Sequence, residues 1–537
     1  QPGDPAAPGY TEVTSAAEGV EIEPETIGEN LMAIHVRGRA LGAGEVVRIH
    51  FGAGPLGARA DSYAERGSRF WIAVDGDGDG VRRVLVDSLG VDVEPGPAAR
   101  LVLTLSSTAR LVEEVEVTLA VLDPVANAGP EFAGTVELFD VPPGLEVPAG
   151  IELGPEDRAR RTVKGRATAE GVLRLKARAT LGGELVETAS NPLLVSNGPR
   201  ILWADLHGHS AVSDGTGTPE DYFLYARDVA GLDAAALTDH DHWGLPFMDE
   251  EPGLWETNKA VCNRVNEPGR FVALPGYEWT NWVFGHRHVL YFSDEAPLFS
   301  SIDERYDEPG ELWQALRGLP ALTVPHHPAG GPAPIDWDVA PDPELEPAVE
   351  ITSAHGCSEA RDCALTISSS LDGAFARDAL GRGYRLAFIG SGDGHDGHPG
   401  LTHLGPHYPT GGLAAVLSED LTREGLLEAL RARRAYASNG PRIILRAALG
   451  SARMGTSAPA AELGTEASLF VEIHGTAPIR MIEVVRSGAL YAGLEGEGAL
   501  DVTASAVLEE LRAGEYVYVR VTQEDGGAAW SSPIFLE

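Results

Sequence analysis

At 537 residues, with 43% apolar and 23% charged side chains, the chain is too long for one small domain and rich enough in apolar residues for several packed cores. It contains no apolar run of the roughly 18 residues that a membrane-spanning helix needs. Eighty acidic residues against 41 basic ones give a formal charge of −39, a field that disfavours nucleic-acid polymers as partners but leaves a small anionic substrate open.

Residues 1–25 begin at Gln1 and are rich in Pro, Gly, Ala and acids, which predicts a flexible tether and an exported protein, whether periplasmic, surface-anchored or secreted. Over 26–198, short alternating runs such as Val46 to Phe51, Arg69 to Val74 and Arg100 to Leu105 are separated by Gly, Pro and Asp. They predict two β-sandwiches, 26–123 and 124–198. Within the first, Asp75 to Asp79 in the run VDGDGDG admits a calcium loop. An acidic hairpin turn is favoured, because Val86 stands where such a loop needs a bidentate Glu. From 199 to 443 apolar strand-like runs alternate with helical patterns, including a helix from Pro219 with Thr218 as its cap, and predict a parallel sheet or barrel. Renewed alternation over 444–537 predicts a C-terminal β-sandwich. Cys262, Cys357 and Cys363 make no disulfide framework; the last two are close enough to pair in an oxidising compartment, or stand as unpaired small residues.

Thirteen of the sixteen histidines lie between His207 and His407, clustered where strands are predicted to end. His207 and His209 flank a glycine, so strand alternation sends both imidazoles to one side. Asp239-His240-Asp241-His242, Glu278, His286 with His288, His326 with His327, His355, and Asp393 with His395 follow at later strand ends. Nitrogen and carboxylate donors without thiolates suit Zn, Mn or Fe(II), and a carboxylate such as Glu278 can bridge two ions. Closely spaced ions suit phosphoester hydrolysis. Tyr277, Trp279 and Trp282 beside Glu278 are core or pocket wall, Arg287 a phosphate clamp or one half of a surface salt bridge, and Asp239 a residue that orients a ligand. His355 is open to use as a ligand, a proton donor, an anion contact or a hydrogen-bonding support, and Glu359 in the same string is open to the same range of roles. His398, His403 and His407 lie in a following loop.

The strings D-L-H-G-H-S, T-D-H-D, G-Y-E-W-T, P-H-H-P and G-D-G-H resemble the polymerase and histidinol phosphatase (PHP) superfamily in order and spacing. V-E-I-x-S-x-H-G-x-S-E at Val349 to Glu359 is similar to its DUF3604 branch. The resemblance implies a multidomain protein with a distorted (β/α)7 barrel over 199–443, flanked by β-sandwiches and holding two or three divalent ions. By position, the ligands it implies are His207, His209, Asp214, His240, Glu278, His286, His326, Asp393 and His395. Asp214 stands where many relatives place a histidine. The implied activity is that of a hydrolase using a metal-bound hydroxide on a small phosphorylated substrate, with Arg287 or His355 stabilising charge. Amidohydrolase-type chemistry on a non-phosphate substrate is the enzymatic alternative. It is disfavoured because Lys259, the one lysine in this region, lies in a polar stretch and not at a strand end. A non-catalytic metal-, carbohydrate- or surface-binding platform is the other alternative, disfavoured because a dead site has no physical reason to keep clustered charges.

Overall fold

The structure, a computed structural model, describes residues 4–28, 31–85, 89–244, 246–408, 410–464 and 466–537. It divides into two compact units, Gln1–Ser62 and Tyr63–Glu537. In the first, Thr11–Ser15 pairs antiparallel with Val47–Phe51, and Glu21–Thr26 with Met32–Arg37. The expected tether over 1–25 therefore contains two paired strands. Thr11-Glu-Val-Thr-Ser alternates, and Val13 turns inward.

In the second unit, Ala73–Val74 and Arg83–Val84 form a two-stranded hairpin across the acidic turn. Asp75 accepts hydrogen bonds from the backbone N–H groups of Gly78 and Gly80 at 2.7 and 3.1 Å, and Asp79 from Val81 at 2.7 Å. These carboxylates cap their own turn, as the favoured acidic hairpin requires. Val86, on which the sequence argument turned, lies outside the described residues.

A sandwich follows, and its boundaries differ from those expected. One sheet runs Leu145–Glu146, Arg160–Ala167, Glu114–Leu122, Arg100–Leu105, and the other runs Gly150–Leu153, Gly134–Phe139, Lys176–Leu181, Glu184–Ala189. Strand Glu114–Leu122 pairs with Arg100–Leu105 on one side and Arg160–Ala167 on the other, so the predicted break at 124 falls inside one domain. Leu103, Leu105, Val117 and Leu119 share its core with Val136, Leu138, Ile151 and Leu153.

Beyond it lies a sheet of thirteen strands. Ile201–Asp205, Ala234–Leu237 and Val272–Trp279 are parallel neighbours, whereas Arg287–Tyr291 returns antiparallel to Val272–Trp279 and Ala321–Pro325 is antiparallel to that. The short link from Thr280 to His286 dictates the reversal, because a parallel return needs a crossover of about a dozen residues. Ala348–Ser353 and Ala387–Gly390 pair parallel in a separate sheet. Among the described residues 39% are strand against 11% helix, too little helix for a complete set of the strand–helix units of the expected distorted (β/α)7 barrel. Its strands nevertheless enclose one core of small residues, including Ala204, Ala236, Ala348, Ala387 and Ala414. The predicted helix is present over Pro219–Asp228, with Thr218 Oγ1 accepting from Asp221 N–H at 3.1 Å.

The C-terminal segment is not an independent sandwich. Its sheet of Ile444–Leu449, Glu466–His474 and Asp501–Glu509 is its own, but Tyr516–Gln523 and Ile479–Arg486 continue the thirteen-stranded sheet through Ala528–Ser531 and Ala435–Ser438. A chain of charges ties it to the first sandwich. Arg174 donates to Asp501 at 2.7 Å, and His474 joins Asp501 at 2.9 Å and Glu472 at 3.4 Å. Cys357 and Cys363 are joined as a disulfide, and Cys262 is buried with its thiol pushed up to about 12 by that burial. No helix among the described residues is long and apolar enough to cross a membrane.

Candidate metal centre

The centre is built where strand Ile201–Asp205 ends. Buried Asp205 accepts from the N–H groups of Gly392 and Gly400 at 2.7 and 2.8 Å, which draws the loop bearing Asp393 against the loop bearing His207. The N–H of Asp393 then donates to His207 O at 2.9 Å, and that of His209 to Gly394 O at 3.0 Å. Asp393 sits at φ 48°, a left-handed conformation that this lacing sustains. Gly208 is required between the two histidines, since a Cβ there would lie 2.5 Å from Tyr222 Oη.

Four donor atoms converge. His207 Nε2 lies 3.3 Å from Glu278 Oε2, from Asp393 Oδ1 and from His209 Nε2. His209 Nε2 lies 3.4 Å from the same Glu278 oxygen and 3.5 Å from the same Asp393 oxygen. A tetrahedron about an ion at ligand distances of ~2.0–2.1 Å has edges of about 3.3–3.4 Å. The five separations made by the two imidazole nitrogens therefore match the ligand spacing of one small divalent cation.

Glu278 turns its other oxygen to a second group, with Oε1 at 2.7 Å from His286 Nδ1 and 3.4 Å from His326 Nε2. A third group surrounds Asp214, whose Oδ1 lies 3.5 Å from both His240 Nε2 and His395 Nε2 and 3.9 Å from His209 Nδ1. The rings are held by their opposite nitrogens. His207 Nδ1 meets Glu350 at 3.2 Å, His240 Nδ1 meets Thr280 Oγ1 at 2.8 Å, and His395 Nδ1 meets Asp393 O at 3.2 Å. Such outer contacts fix which nitrogen is left for a cation. His286 Nε2 and His326 Nδ1 have no hydrogen-bond partner among the described residues, a costly arrangement that a cation would relieve.

Burial raises the proton affinity of Glu278, but the neighbouring imidazoles, His240 first, outweigh it and hold the carboxyl well below the usual range. Burial holds His326 and His288 well below the usual imidazole value, in the neutral form that binds metals.

The structure thus brings all nine expected ligand residues into adjoining groups. His288, His327 and Glu350 join them. His288 is fully buried with both nitrogens unpartnered, stacked 4.4 Å from His326, and His327 groups with His286 and His326. A histidine two residues beyond a candidate ligand is the signal for His288; Glu350, in an ordinary Val-Glu-Ile strand, gave none.

Two expected roles, those of Arg287 and Glu359, are revised. Arg287 is fully buried, its guanidinium donating to Glu346 at 2.9 Å and to the carbonyls of Phe284 and Gly285 at 3.0 and 3.1 Å, so it supports the strand and does not face a substrate. Asp239 is buried among Ser210 N–H, Ser210 Oγ, Ser213 Oγ and Asn258 Nδ2 at 2.7–3.0 Å, contacts that organise the loop presenting Asp214, in line with the orienting role expected of it. Glu359 lies away from the centre, buried against Arg377 at 2.8 Å and Arg520 at 3.1 Å. His355 does reach the centre, half exposed, its Nε2 3.2 Å from Asp393 Oδ2, and that carboxylate pushes its imidazole up to about 9. A cation at Asp393 would offset that charge. Tyr277 and Trp279 are core residues, whereas Trp282 is half exposed. His398 is buried beside Asn127, at 3.1 Å, and not in the centre.

A family model described as a protein of unknown function (DUF3604) matches residues 235–330 and 393–463, which include His240, Glu278, His286, His326, Asp393 and His395 but not His207, His209 or Asp214. An uncharacterized protein of Chlamydia pneumoniae is 27% identical over 397 residues, 68% of this chain and 62% of that protein. One of Chlamydia trachomatis serovar D is 28% identical over 400 residues, with the same shares. The chain spans about 62% of the length of these relatives. Among solved structures, a two-domain protein from Bacteroides vulgatus containing a predicted PHP-like metal-dependent phosphoesterase is similar at 15% identity and a TM-score of 0.34, over 63% of this chain and 96% of that one.

Proposed function

We propose that the protein is a metal-dependent hydrolase of phosphoesters. The observation that carries this reading is the four-atom set of His207, His209, Glu278 and Asp393, in which the distances from each imidazole nitrogen to the other three atoms, 3.3–3.5 Å, fit the ligand spacing around one small cation. In this reading Glu278 reaches a second position with His286 and His326, and Asp214, His240 and His395 make a third. Divalent Zn, Mn or Fe held there would act as a Lewis acid toward phosphoryl oxygens and lower the pKa of a water. The protein contributes the rest. Glu350 holds His207 with one nitrogen turned inward, and Asp239 fixes the Asp214 loop. His355, at the rim and 3.2 Å from Asp393, is placed to give a proton to the departing oxygen.

The test is elemental analysis of the purified chain together with hydrolysis of generic phosphomonoesters and phosphodiesters, with and without chelator. About two or three ions per chain and chelator-sensitive turnover are expected. Protein that neither holds Zn, Mn or Fe nor turns over any ester after reconstitution would overturn the reading in favour of a binding platform.

A further inference from the structure

Two indoles stand at the edge of the metal centre, half in solvent. Trp243 is 47% exposed and Trp282 is 46% exposed, whereas nearby Trp279 is fully buried. Their ring centroids are 5.7 Å apart and their planes inclined at 51°, so they form an angled corner and not a closed stack. Trp282 is edge-on to His286 at 5.1 Å, and Trp243 lies 6.4 Å from His240. Each indole therefore adjoins an imidazole of the centre. Hydrogen-bonded turns set both. Asn281 Oδ1 accepts from the N–H groups of Val283 and Phe284 at 2.9 and 2.8 Å, and Asp241 accepts from Thr280 and Ser301 N–H at 3.2 and 2.6 Å.

We infer that Trp243 and Trp282 receive the leaving group, and that the substrates are phosphoesters whose leaving group carries a flat aromatic ring. This rests on the phosphoester reading. A flat ring entering the corner can lie offset on one indole face and meet the other edge-on, the two geometries aromatic pairs prefer at centroid distances of about 4.5–7 Å. An alkyl leaving group gains only covered area. The charge of −39 favours a small ring-bearing ester over a nucleic-acid polymer.

The experiment is calorimetric titration of the metal-loaded full chain with phenylphosphonate and methylphosphonate, which share the anionic head and are not esters. It is run on wild type, Trp243→Ala, Trp282→Ala and Trp282→Phe, with indole fluorescence followed in parallel. Wild type should bind phenylphosphonate about five- to tenfold more tightly than methylphosphonate, with an indole fluorescence change. Each alanine variant should lose most of that ratio while still binding methylphosphonate, and Trp282→Phe should retain it. Equal wild-type affinities, or a ratio unchanged in both alanine variants, would overturn the inference. Chelator-sensitive ester hydrolysis by the same wild-type preparation would then leave the phosphoester reading standing. Absence of both phosphonate binding and hydrolysis would overturn the two together.

Discussion

Glu350 shows how one buried carboxylate can matter without touching a substrate. Burial pushes its proton affinity up, to about 7, and its oxygen 3.2 Å from His207 Nδ1 aims that ring at the centre. Glu350→Gln is expected to lower metal affinity about 10- to 100-fold, measured by competition with a chromogenic chelator, with little loss of folding. Arg287 makes the opposite point. Its side chain and that of Glu346 are both fully buried, so Arg287→Ala leaves a carboxylate without its partner. The expected cost is about 3–5 kcal/mol in urea unfolding. A substrate clamp would instead raise KM at unchanged stability, and that outcome would restore the clamp. His207, His209, Glu278 and Asp393 were legible because ligand residue types recur at successive strand ends. Arg287 was misread because a cation among histidines resembles an anion contact until its burial is known, and Glu350 was missed because a lone Glu in an alternating strand looks solvated.

Individual strands were easier to read than their partners. Arg100–Leu105 alternates clearly, yet nothing local says that its neighbour pairs in turn with Arg160–Ala167, so the sandwich boundary was placed inside the domain. The antiparallel return of Arg287–Tyr291 was implicit in the short link before it, but the histidine pattern drew attention to the strand ends and away from their direction. The charge chain of Arg174, Asp501, His474 and Glu472 joins elements far apart in sequence. Burial lowers the proton affinity of His474, but Asp501 and Glu472 outweigh it and leave the imidazole above its ordinary value, 6.5. A raised folded-state value stabilises the protein at pH below 6.5, and that stability is lost as pH climbs through the raised value. Stability measured by urea unfolding from mildly acidic to mildly alkaline pH should show this decrement in wild type. His474→Gln should flatten it, and an unchanged profile would remove His474 from the account.

For the molecule as a whole, 39 unbalanced negative charges oppose compaction. Surface ion pairs such as Arg39–Glu45 and Lys164–Glu114 contribute little and weaken with salt. The self-repulsion is longer in range and more strongly screened as the Debye length falls from about 30 Å at 0.01 M to about 10 Å at 0.1 M. Tm should therefore rise over that range of ionic strength; a fall would mean that the ion pairs dominate. Glu278 has a further consequence if the proposed ions are bound. One oxygen faces the His207 group and the other the His286 and His326 group, so occupancy of the two by metal would be thermodynamically linked. Loading should proceed in unequal, coupled steps, and His209→Ala with His286→Ala should show an interaction energy of about 0.5–3 kcal/mol in metal affinity. Strict additivity would mean that Glu278 serves two independent neighbours. Coupling would make the centre one cooperative unit, in which the defect caused by losing a ligand spreads beyond the ion that the ligand touches.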